Sequence, residues 1–99
     1  MIMAYNFLCK ATSEPNWSEI NRLLGSCDRL EAFPMIESSD AEYGLAISIP
    51  MKQIGAIAYE QFVRVQKVLR TTYGFTIYDM YYGKEVDEKH LVILKEEIT

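Results

Sequence analysis

Asp79 lies in an alternating run beside Tyr78, Tyr81 and Tyr82, and His90 is the single histidine of the chain. A carboxylate half-buried among phenols has its charged form disfavoured, which suits it to general acid-base work. The plainer expectation takes precedence: Asp79 is an exposed strand residue or a carboxylate that caps a turn. His90, between Lys89 and Leu91 and ahead of an expected strand, is expected at the surface. One histidine leaves His-based triads open and excludes a two-His metal site. Cys9 and Cys27 fall in predicted regular elements with no pairing pattern, so they are expected to be small buried thiols in a reducing compartment. No CxxC, HExxH, P-loop or GxGxxG pattern occurs, which removes the common zinc, redox and nucleotide signatures. No metal, cofactor or catalytic residue is therefore expected, and an enzyme built on Asp79 and its tyrosine neighbours ranks last among the readings.

Chemistry at a surface is better represented. The chain has seven tyrosines, whose rigid apolar bodies and polar tips suit a surface that is desolvated on contact. Tyr5 and Tyr73 are expected in the core. Tyr78 and Tyr82 share one face of the expected strand, and Tyr59 with Val63 makes an i,i+4 apolar pair on the outer side of a long helix. Acidic residues gather at two turns, Glu37, Asp40 and Glu42 at one and Glu85, Asp87 and Glu88 at the other. Such loops are ordinarily just solvated, but beside aromatic faces they are what a binder of a basic protein would present.

Ten basic against 14 acidic residues give a formal charge of -4. That balance argues against a nucleic-acid footprint, because neutralising phosphates requires clustered Lys and Arg. Residues 1–99 are enough for a single domain with one core. Met1-Ile2-Met3-Ala4 has no basic n-region, and its apolar run stops at Asn6 and Lys10, so neither a signal peptide nor a membrane span is expected. A cytoplasmic location follows by default.

The elements that must position these residues are organised around the stretch from Lys52 to Tyr82. Ile54, Ile57, Ala58, Phe62, Val65, Val68 and Leu69 recur at spacings of three and four, as on the core face of an amphipathic helix. Tyr73-Gly74-Phe75 supplies a glycine stop. A tyrosine-rich strand follows from Phe75. Upstream, residues 2–10 read as a central strand, and Asn16 ahead of Trp17-Ser18-Glu19 reads as the cap of a first helix ending near Gly25. Ala32–Ile36 and Tyr43–Ile49 form an expected hairpin, its first arm held to an edge by Pro34. Leu91-Val92-Ile93-Leu94 reads as a last short strand. The order is β-α-β-β-α-β with an extra C-terminal strand: an α+β, ferredoxin-like antiparallel sheet with two helices on one face.

The stretch from Leu69 to Asp79, a helix ending in Tyr-Gly and then a strand ending in an aromatic and an aspartate, resembles a segment of small bacterial ferredoxin-like immunity proteins of polymorphic toxin systems. Those proteins often continue Asp-Pro-Gln, whereas this chain has Asp79-Met80-Tyr81. The resemblance implies a non-catalytic inhibitor that occludes a partner's active site. The leading expectation is thus a cytoplasmic module that binds another protein, a basic one such as a toxin, through Tyr78, Tyr82, Tyr59, Val63 and the acidic loops. The alternative is a ligand-binding or regulatory domain of the same fold that works as a homodimer.

Overall fold

The computed structural model describes residues 4–35 and 43–99, and the side chains of all of these except 34 and 35. Along β1 (Ala4–Ala11), Tyr5, Phe7, Cys9 and Ala11 are buried, while Asn6, Leu8 and Lys10 between them are not. That alternation defines a sheet with one face covered and one open. β1 pairs with β3 (Tyr43–Pro50), which buries Leu45, Ile47 and Ile49 on the same covered face. On its other side β1 pairs with β4 (Thr76–Asp79), whose inward residues are Ile77 and Asp79. β2 (Glu31–Met35) lies outside β3, and the two-residue β5 (Lys84–Glu85) lies outside β4. The strand order is β2-β3-β1-β4-β5, and every neighbouring pair is antiparallel. The expected hairpin forms as β2 and β3. Its turn, with Glu37, Asp40 and Glu42, lies outside the described residues.

Among the described residues, three α-helices cover the inner face. α1 (Trp17–Gly25) begins where Asn16 accepts a hydrogen bond from the Glu19 amide at 3.2 Å, and it inserts Ile20 into the core. A 3-10 turn at Met51–Gln53 precedes α2 (Ala56–Thr72). α2 buries Ala58, Phe62, Val65, Gln66 and Leu69. Phe62 stacks on Phe7 with ring centroids 4.0 Å apart, and burial of each large side chain contributes about 1.5–3 kcal/mol before the entropy of ordering it. The helix ends at Gly74, whose φ of 70° a β-carbon would disfavour, and the Phe75 amide returns to the Leu69 carbonyl at 2.9 Å. Among the described residues no helix is long and apolar enough to cross a membrane.

Three expectations are corrected. The run Leu91–Leu94 is not a strand but part of α3 (Glu88–Ile98). Asp87 caps this helix by accepting from the His90 amide at 2.8 Å, and His90, Leu91, Leu94 and Ile98 form its buried stripe. A four-residue apolar run fits either period, and here the cap and the continuation to Ile98 decide for the helix. Tyr59 and Val63 do not lie on an outer face: both are half-buried against the core, and the Tyr59 hydroxyl donates to the Leu91 carbonyl at 3.0 Å. Ile57, assigned to the core stripe, is exposed instead. Both changes follow from α3, which packs beside α2 and rotates its buried face toward Tyr59.

Candidate functional site

The alternation of β4 that buries Ile77 also buries Asp79 completely. Asp79 pairs with Phe7 across the β1–β4 ladder, so Tyr5, two residues before Phe7, lies diagonally beside it on the covered face. The Tyr5 hydroxyl donates to Asp79 Oδ2 at 2.7 Å. The cap at Asp87 sets His90 in the first turn of α3, and its Nε2 lies 2.6 Å from the same Oδ2. The other oxygen, Oδ1, turns the chain. It accepts from the Tyr81 amide at 2.8 Å and the Tyr82 amide at 3.2 Å, while Gly83, at φ 67°, returns its amide to the Asp79 carbonyl at 2.8 Å. Strand β4 therefore stops at Asp79, and the run expected to continue as strand through Tyr82 is a turn.

An ionised carboxylate offers roughly four lone-pair sites and no donor. Three protein donors, the Tyr5 hydroxyl and the Tyr81 and Tyr82 amides, meet this one group, and His90 Nε2 makes a fourth contact whose donor follows from the ring tautomer. Both carboxylate oxygens are thus engaged by protein groups. Burial first, and then the hydrogen bond to Asp79, raise the Tyr5 hydroxyl far above an ordinary phenol, so it holds its proton. The cluster thus fastens β1, β4, the 80–83 turn and α3 to one buried point.

Aromatic rings continue from this point to the surface. Phe7 stacks on Tyr5 at 5.2 Å, Tyr81 lies 5.8 Å from Tyr5, Tyr82 meets Tyr81 edge-on at 5.0 Å, and Tyr82 meets the His90 ring edge-on at 5.6 Å. The Tyr82 hydroxyl donates to Glu97 Oε1 at 2.7 Å and is pushed up to about 12 by that bond, then by desolvation. Met80 and Tyr81 are 57% and 56% exposed, the most open large side chains of the turn.

Of the surface residues predicted from sequence, Tyr82 belongs to this turn, while Tyr78 points to the open face of the sheet and is paired with Leu8 and Glu85. Glu85 is exposed, Asp87 is the cap of α3, and Glu88 reaches Arg70 at 3.8 Å. The Asp87 carboxyl is held below the usual range, chiefly by the His90 amide it accepts from. The sequence pattern alone places neither Tyr5 nor His90 beside Asp79, and His90, expected at the surface, is buried. Two signals point to them: Asp79 shares the phase of Ile77, and Asp87 stands three residues before His90 as a cap would.

Cys9 and Cys27 are free and buried, and burial pushes the Cys9 thiol up to about 12, so it carries almost no thiolate at neutral pH. Among the described residues no group of three or more His, Cys, Asp or Glu side chains is placed to hold a metal ion. Compared with known proteins, the chain matches no family model, no curated protein and no solved structure.

Proposed function

We propose that this chain is a non-enzymatic, cytoplasmic protein-binding module of inhibitor or immunity type, and that its contact surface is centred on the Met80-Tyr81-Tyr82 turn. The observation that carries this reading is the combination of three consecutive large side chains open to solvent with a backbone held from beneath by Asp79. A rigid turn loses little conformational entropy on binding, and aromatic anchors are where interface energy concentrates. The saturation of the Asp79 carboxylate supports a structural duty for the one His–Asp pair and so favours binding over catalysis. Exposed Glu85 and Glu97 flank the turn, Glu85 in sequence and Glu97 by its bond to Tyr82, which suits a basic partner.

The ferredoxin-like plan belongs to the same proposal. The order β4-β1-β3-β2, with β1 separating β3 from β4 and β3 separating β1 from β2, supports it, and β5 and α3 are then additions at one end. Those additions supply the turn and His90. The test is capture from extract of the native host with the immobilised protein and with its Met80→Ser/Tyr81→Ser variant. One protein enriched by the first and lost with the second supports the reading. Equal capture by both, with the variant folded, refutes the turn as the contact surface.

A further inference from the structure

The face of the sheet opposite the helices carries a continuous lateral row. Phe33 is registered with Ala46, Ala46 with Leu8, Leu8 with Tyr78, and Tyr78 with Glu85. Phe33 is 53% exposed and Tyr78 38%, while Leu8 and Ala46 between them are half-buried by their neighbours. Two strands of this row, β2 and β4, thus present aromatic residues, the two between them, β3 and β1, a small-to-medium aliphatic centre, and β5 an acidic rim, on a surface that none of the described helices covers.

We propose that this face is where two copies of the chain meet, sheet on sheet, about a two-fold axis through the Ala46–Leu8 centre of the row. A two-fold contact requires one patch to complement itself. The row does so because an aromatic residue stands on either side of its centre, so that each copy can set Phe33 and Tyr78 around the low centre of the other.

Charge does not oppose a like partner here although the chain as a whole is acidic. Among the described residues, the charged groups on this face are Glu31 and Glu85 on the two outermost strands and Lys10 on the middle strand, so no acid meets an acid at its centre. The other route to self-association, pairing of sheet edges, is poorly served. β2 contains Pro34, which has no amide to donate, and β5 is only two residues long.

Area sets the strength. Five strands about 4.8 Å apart and up to eight residues long give a face of roughly 500 Å². Two copies would bury on the order of 1,000 Å², the lower end of what a specific interface needs. The dimer is accordingly weak and reversible, and it leaves the 80–82 turn as a separate surface.

The experiment is sedimentation velocity across a wide concentration series, together with amide NMR spectra of the unsubstituted protein over the same dilution. The expected result is a mass that rises reversibly toward that of a dimer, with concentration-dependent shifts confined to β1, β2, β3 and β4. Phe33→Thr/Tyr78→Thr, which keeps strand-forming residues at both places, should weaken association by roughly tenfold or more. A monomeric mass at every concentration would overturn the proposal. So would dilution shifts centred on the helices or on Met80-Tyr81-Tyr82, since these need no substituted protein and locate the contact directly.

Discussion

His90 Nε2 sits 2.6 Å from Oδ2 of Asp79, with both side chains buried beneath the surface turn. The Tyr5 hydroxyl donates to that same oxygen, and the two amides on Oδ1 complete the set. Asp79→Asn keeps the shape but either presents an NH₂ group to the Tyr81 and Tyr82 amides, which only donate, or turns it toward the Tyr5 hydroxyl and His90 Nε2, which must then rotate or change tautomer to accept. It should cost about 1–3 kcal/mol in chemical denaturation, as leaving a buried polar group short of a partner does. Tyr5→Phe removes one donor and should cost about 0.5–1.5 kcal/mol.

Alkaline titration isolates the Tyr5 contribution. Its proton is retained in the folded state well above the pH at which an unfolded phenol, near 10, loses it. The stability it supplies is complete below about pH 10 and declines as pH rises beyond that, because unfolding then releases one more proton. The slope of unfolding free energy against pH above 10 should therefore become shallower in Tyr5→Phe. Equal slopes in the two proteins would mean that Tyr5 ionises in place.

The acid side depends on Asp87. Its folded-state carboxyl is held low by the His90 amide, so its contribution is present above the ordinary Asp range and is lost as pH falls through the lowered value. Asp87→Ser should keep most of the cap of α3 at neutral pH and flatten the acid dependence, whereas Asp87→Ala should lose the cap at every pH. Helical circular dichroism and melting temperature across an acid series distinguish the two.

Much of the sheet was legible because its cues are local. The alternation in β1 and β3, Pro34 on an outer strand, the Asn16 cap and the Gly74 stop all act through residues adjacent in sequence. What was not legible depended on α3. Leu91–Leu94 is apolar without a break, so its period is ambiguous, and reading it as strand placed His90 outside and left Tyr59 and Val63 uncovered. Asp79 shows the same limit at the site. Its phase with Ile77 pointed inward, yet a buried acid is rare unless paired, and its partners lie 74 positions before it and 11 after it. Those separations become contacts only once β4 lies beside β1 and α3 folds back over both.

Electrostatic steering offers a further check on the proposed basic partner. Reversing Glu37, Asp40, Glu42, Glu85 and Glu88 to lysine should slow association by roughly tenfold or more and leave dissociation nearly unchanged. Added salt should slow the unsubstituted protein in the same way, because exposed charges are screened beyond about 8 Å at physiological ionic strength. Association that is indifferent to both would point to an uncharged or acidic partner. Asp87 is left out because its replacement would also unseat α3.

The most direct measurement is the dissociation rate of the captured partner from the unsubstituted protein and from Met80→Ser/Tyr81→Ser, recorded by surface plasmon resonance beside the melting temperature of each. Desolvated aromatic anchors act mainly on dissociation. The turn, held by Asp79, should let the partner leave roughly tenfold faster or more when its side chains are cut back, with association and melting temperature little changed. An unchanged dissociation rate in a fully folded variant would contradict the assignment of the Met80-Tyr81-Tyr82 turn as the binding surface.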